Sequence, residues 1–167
     1  MTVVCNTSPI SNLAAIGQLT LLQKVYGNVI IPQTVADEIT KVATIYTQAT
    51  SVFSQSWIGI QTVNNATRVL ELRGRKLDAG ESEAIALALE INAELLVIDE
   101  RLGREIAVSE GLNITGLIGV LLEAKNRGLI SQVKPMMDAL IVQAGFRVSS
   151  GLYTEVLRLS REESVIG

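Results

Sequence analysis

Leu95-Leu96-Val97-Ile98-Asp99-Glu100-Arg101 is the stretch whose reading decides the fold. Four aliphatic residues run straight into an acid. A run that short, apolar throughout and followed by a helical pattern, reads as a central strand buried on both faces. Asp99 then stands at the carboxyl end of the strand, the end where ligands bind in open parallel α/β sheets. Working outward, Thr2-Val3-Val4-Cys5 is a second strand of this kind, and it ends at Asn6-Thr7-Ser8-Pro9. If the two strands are neighbours where strand order reverses, Asn6 and Asp99 face each other across one crevice.

Further strands are expected at 28–31, 58–63 and 113–115. Helices are expected at 19–26, 65–72, 80–92, 102–110 and 117–127, with Ser8 capping a first helix that opens on Pro9. Strands alternating with helices predict a parallel sheet with right-handed crossovers. After about residue 128 no strand is legible. Val133, Met136, Met137, Leu140, Ile141 and Ala144 form one helical stripe, and Leu152, Val156 and Leu159 form another. Such stripes usually face a core; the alternative is a dimer or partner surface. The expected organisation is a single domain over 1–167, with a core to about 127 and a helical C-terminal extension over about 128–167.

Composition limits the chemistry. The 167 residues carry a net charge of −3, no histidine and one cysteine. A histidine general base, a His/Cys zinc site and a disulfide framework are excluded. There is no overall basic footprint for nucleic acid, so any such contact needs a local patch. Aromatic residues make up only 4%, so the core is aliphatic. No apolar run approaches the ~18 residues of a membrane span, and the first residues do not read as a signal peptide. A cytoplasmic protein with no membrane association is expected.

Helical phase sorts the acids. After Pro32, Val35, Ile39 and Val42 form a buried stripe. At ~100° per residue Glu38 falls about 60° from Val35 and can reach a crevice, whereas Asp37 is solvated. In the 80–92 helix Glu81 shares the apolar face of Ile85, Ala88 and Leu89, and Glu83 points away. Each acid has an ordinary structural explanation too. Glu81 suits a helix N-terminus, Asp99 suits an N-cap, and Glu38 suits the boundary of a helix. Together, three carboxylates with Asn6 and no His or Cys repel one another unless a hard cation lies between their oxygens. Oxygen-only ligation suits Mg²⁺ or Mn²⁺. Such an ion supports metal-dependent phosphodiester hydrolysis.

The segments Val3–Ile10, Ile31–Glu38, Leu77–Ala88 and Val97–Asp99 make the chain resemble the PIN-domain ribonucleases, which include the toxins of many prokaryotic toxin–antitoxin pairs. Gly116–Lys125 and the helical tail point to a PIN-like branch of unknown function. The resemblance implies a five-stranded parallel sheet in order 3-2-1-4-5 with helices on both faces. It also implies catalytic, metal-binding positions at Asn6, Glu38, Glu81 and Asp99. Asn6 departs from the family, whose usual residue there is Asp; an amide oxygen can ligate a metal but brings no charge. The implied activity is metal-dependent RNA hydrolysis, with RNA, a small antitoxin and a second copy of the chain as partners. A catalytically weakened module that binds RNA or a protein is the alternative.

Phosphate contacts need cations. Arg101 and Arg104 follow Asp99, while Arg73, Arg75 and Lys76 precede Glu81. Solvated faces explain both groups equally well. Thr115 and Gly116, before a helix N-terminus, suit an anion or a packing turn.

Overall fold

The structure, a computed structural model, describes residues 1–43 and 55–163. Its strands are β1 (Val3–Cys5), β2 (Val29–Pro32), β3 (Ile58–Gln61), β4 (Leu95–Val97) and β5 (Ile114–Thr115). Its helices are α1 (Thr7–Ala15), α2 (Thr20–Tyr26), α3 (Gln33–Ala43), α4 (Ala66–Gly74), α5 (Ala79–Glu90), α6 (Arg101–Ser109), α7 (Leu117–Asn126), α8 (Lys134–Ala144) and α9 (Ser150–Leu159). The sheet is five-stranded with order β3-β2-β1-β4-β5, and every pairing is parallel. The expected α/β class and strand order are therefore those observed.

Alternation along the strands divides the core into two layers. Val3 and Cys5 of β1, Val29 and Ile31 of β2 and Val97 of β4 point to one face. There they meet Ile10 and Leu13 of α1, Val35 and Ile39 of α3, and Leu117 and Leu121 of α7. Val4, Leu96 and Ile98 point to the other face, against Leu72 of α4, Ile85 of α5 and Ile106 of α6. Both faces are dry, which is why these strands read as unbroken apolar runs. Burying one such Leu or Ile is worth about 1.5–3 kcal/mol. The Val42 side chain, expected on the α3 stripe, lies outside the described residues.

The C-terminal stripes are largely core. Val133, Met137, Leu140 and Val156 are fully buried or nearly so and join the first layer, while Leu152 and Leu159 stay exposed. One carboxylate holds this extension in place. Glu162 accepts from the backbone N–H groups of Val133 (2.7 Å) and Lys134 (2.9 Å) at the start of α8, and from Lys125 Nζ of α7 (2.9 Å). Burial pushes its pKa up, but these donors outweigh it and hold the carboxyl at about 2.

Two boundaries differ from expectation. The first helix begins at Thr7 with Asn6 as its N-cap, so Ser8 and Pro9 lie inside the first turn rather than capping it. Proline fits there because the first N–H groups of a helix have no intrahelical partner. At the end of β4, α6 takes Glu100 as N-cap rather than Asp99.

Candidate active site

The register Cys5↔Val97 and the Asn6 N–H bond to the Val97 carbonyl (3.0 Å) bring the carboxyl ends of β1 and β4 side by side. Asn6 and Asp99 leave the sheet at that edge. Asn6 is 4% exposed. An Asn at an N-cap normally turns its side-chain oxygen onto the helix N–H groups, but Asn6 makes no such cap, and its Oδ1 is buried without a partner. Asp99 Oδ1 accepts from the Leu117 N–H (2.9 Å) and so caps α7 from a different element. Asp99 Oδ2 is buried and unpartnered. Leaving such acceptors unmade costs about 1–3 kcal/mol each, so two at adjacent strand ends mark a place where the fold spends stability.

Glu38 and Glu81 meet through the first turn of α5. Glu38 accepts from the Thr7 hydroxyl of α1. A Cβ at Gly80 would lie 2.6 and 2.8 Å from the two Glu38 oxygens, so this position has room only for glycine beside an undisturbed carboxylate. Asp78 caps α5 with a reciprocal box: the Glu81 N–H donates to Asp78 Oδ1 (2.8 Å) and Glu81 Oε2 accepts from the Asp78 N–H (3.2 Å). The ordinary reading of Glu81 as a helix N-terminal acid is therefore realised in part. Its carboxylate faces α6: a Cβ at Gly103 would approach Glu81 Cδ to 3.8 Å.

Electrostatics link these groups along the edge. Burial raises the Glu81 pKa; the charges of Asp78, Glu100 and Glu38 add to that and the Asp78 N–H opposes it. Burial likewise raises Asp99, with Glu100 adding, while the Leu117 N–H and Arg104 pull it down. Burial and the Asp99 charge push the Cys5 thiol up. Glu100 thus stands between Glu81 and Asp99 electrostatically, a role that sequence reasoning missed although the acid directly follows Asp99. Among the described residues, no three Asp, Glu, Cys or His side chains close on a single point as a ready metal cage.

The other acids lie elsewhere. Asp37 is exposed and accepts from Gln33 (2.9 Å). Glu83 accepts from the Thr34 N–H (3.2 Å) and hydroxyl at the start of α3.

The six residues expected to contact RNA serve varied ends. Arg101 is exposed and pairs with Glu105 (3.1 Å). Arg104 Nη1 donates to the Ile98 carbonyl (2.9 Å) beside Asp99. Arg75 is bound to Glu110 (2.6 Å), which also takes Arg68 (3.2 Å). Arg73 and Lys76 are exposed, with Lys76 at φ +71°. Thr115 lines a cavity with Asp99, but the α7 N–H that an anion would use is occupied by Asp99.

That cavity, about 440 Å³, is bounded by Asp99, Arg104, Thr115, Gly116, Phe146 and Arg147 among others. A second, of about 360 Å³, includes Ser8, Asn12, Asp99, Glu100, Phe146 and Arg147. The connection between α8 and α9 thus lies over the carboxyl edge of the sheet, beside Asp99, which pattern reading gave no sign of.

The donor set is entirely oxygen, and two of its members are buried acceptors awaiting a donor or cation. It fits a hard cation that keeps most of its own water and takes one or two protein oxygens directly, as Mg²⁺ does. Among the described residues, no helix is long and apolar enough to cross a membrane. No curated protein and no solved structure matches the chain. The model of the DUF3368 family, described as a PIN domain, matches residues 2–162, and the chain belongs to that family.

Proposed function

We propose, from the premise of PIN-domain membership, that the protein is a Mg²⁺- or Mn²⁺-dependent ribonuclease of the kind that serves as the toxin of a toxin–antitoxin pair. The observation that supports it most is the pair of buried, unpartnered oxygens, Asn6 Oδ1 and Asp99 Oδ2, at adjoining strand ends. Asp99 and Asn6 would hold the ion, with Glu38 and Glu81 engaging it through its waters. When bound, the ion supplies a water of lowered pKa and charge stabilisation at the phosphoryl oxygens. The residues of the chain do the positioning. The Leu117 N–H fixes Asp99, the Thr7 hydroxyl fixes Glu38, and the capping box fixes Glu81.

A second reading has a specific observation behind it. Asn6 brings no charge, and no three acids converge among the described residues. Both favour a weakened site whose retained property is RNA or partner binding. Incubation of labelled single-stranded RNA with the protein in Mn²⁺, Mg²⁺ and chelator, beside Asp99→Asn, separates the readings. Cleavage that needs the divalent ion and Asp99 establishes the nuclease. Tight binding without cleavage establishes the weakened module, and neither binding nor cleavage removes both RNA readings.

A further inference from the structure

The carboxyl edge carries Asp99, Glu100, Glu81 and Glu38, and an RNA backbone approaching it meets a repulsive field. A cationic side chain facing the substrate offsets that field beside the divalent ion. Of the residues lining the two cavities that share Asp99, only Arg104 and Arg147 are cationic. Arg104 is half-buried and committed to the Ile98 carbonyl. Arg147 lines both cavities, is exposed, and makes no ion pair or hydrogen bond among the described residues despite the surrounding acids.

Its position is set by its neighbours. Phe146 and Val148 on either side are half-buried and packed on the first core layer. Between these two anchored neighbours Arg147 is exposed, and it lines both cavities. The segment is fixed at each end. Gly145 terminates α8 in the left-handed conformation (φ +69°), and the Phe146 N–H returns to the Leu140 carbonyl (3.0 Å). Ser149 caps α9, accepting from the Leu152 N–H (3.1 Å). Tyr153 on α9 donates to Asp138 on α8 (2.5 Å), tying the two helices together just beyond the turn. The backbone that carries the arginine is fixed, and its planar fork suits a phosphodiester and loses less entropy per hydrogen bond formed than a lysine would.

We propose that Arg147 is the phosphate-binding residue of this site, gripping one phosphodiester of single-stranded RNA beside Asp99. The inference rests on the ribonuclease reading and adds to it that the C-terminal extension completes the substrate site.

The test is fluorescence anisotropy of a fluorescein-labelled single-stranded RNA of mixed sequence, in chelator and at stepped salt. It compares the full chain with Arg147→Ala, Arg147→Lys and Arg158→Ala. Arg158 is an exposed arginine paired with Glu155 on α9, so its removal controls for net charge. Arg147→Ala is expected to melt like the wild type and to bind about tenfold more weakly, its salt slope shallower by about one. Arg147→Lys should recover part of the affinity, and Arg158→Ala should bind like the wild type. If wild type binds and Arg147→Ala keeps the same affinity and slope, or if Arg158→Ala loses as much, this inference is overturned while the ribonuclease reading stands. If the wild type cleaves RNA with Mn²⁺ but does not bind it in chelator, Arg147 does not grip the phosphate by itself and this inference is overturned while the ribonuclease reading stands; if the wild type neither binds nor cleaves RNA, the ribonuclease reading falls and the inference with it.

Discussion

Asn6→Asp probes the site most sharply, because the site hypothesis predicts opposite signs for it with and without metal. Asn6 is 4% exposed and next to a β4 strand end that already carries a buried, unpartnered carboxylate oxygen. Strands lie about 4.8 Å apart, which puts a new carboxylate roughly 6 Å from Asp99. At an effective dielectric of 20, two unit charges at that distance repel by about 3 kcal/mol. Burial adds to this, and protonation caps the total, since an acid pushed from about 4 to about 7 has lost roughly 4 kcal/mol. A cost of about 2–4 kcal/mol in chelator follows. For a chain of this size it lowers Tm by about 5–12 °C. A divalent ion reverses the account: each carboxylate now faces two positive charges, and the variant gains more from Mn²⁺ than the wild type, about tenfold in affinity for a net 1–2 kcal/mol. Thermal melts in chelator and across a Mn²⁺ titration, with RNA cleavage in parallel, give the result. Equal Tm in chelator together with an equal metal response would refute the site, leaving Asn6 as a turn residue. If only the variant cleaves RNA, the weakened-module reading holds for the natural chain.

Four other outcomes are expected. Asp99→Asn keeps an oxygen for the Leu117 N–H but removes a buried charge. An acid with a raised folded pKa opposes folding once charged, so in chelator the variant should melt higher than wild type at pH 7. That advantage should fade toward the ordinary Asp value of 3.8, and stabilisation by Mn²⁺ should be lost. Gly80→Ala puts a methyl against the Glu38 carboxylate, a flexible end that can move; the displacement costs about 1–3 kcal/mol and Ala's helix preference returns about 1 kcal/mol, so stability should fall by about 0–2 kcal/mol, while RNA cleavage falls because Glu38 leaves its Thr7 contact. Glu162→Gln should cost about 2–3 kcal/mol at pH 7, the roughly 3–4 kcal/mol equivalent of the shift being reduced by solvent screening, read by denaturant melts. Because the folded carboxyl titrates at about 2 against an ordinary 4.5, the stability it confers is complete above 4.5 and is lost as pH falls from 4.5 toward 2. If the second copy of the chain that the family resemblance implies docks on the α9 face, Leu152→Glu with Leu159→Glu should halve the sedimenting mass of a folded protein, since both side chains are exposed, at 46% and 56%; an unchanged mass rejects that interface.

Apolar runs and helical phase alone were enough to place every strand near its observed span and to separate Glu38 from Asp37. That information is local: whether a side chain faces the sheet depends on residues within two turns of it. The strand order came from the resemblance carried by four short segments, since nothing in periodicity says which parallel strand lies beside which. What only the tertiary structure decided are the partners that cross the chain. Asp99 looked like the cap of its own next helix, but it caps α7 eighteen residues on. Phase says only that Glu83 points away from the apolar face of its helix; the packing gives it the Thr34 N–H at the start of α3. Glu162 clasps α8, and Arg147 arrives over the edge of β4 from a helical pair whose pattern says only that it is amphipathic. A carboxylate takes whichever donor the crossovers bring within about 3 Å. That choice is settled by the packing of whole layers, so no window of sequence around Asp99 or Asn6 contains it.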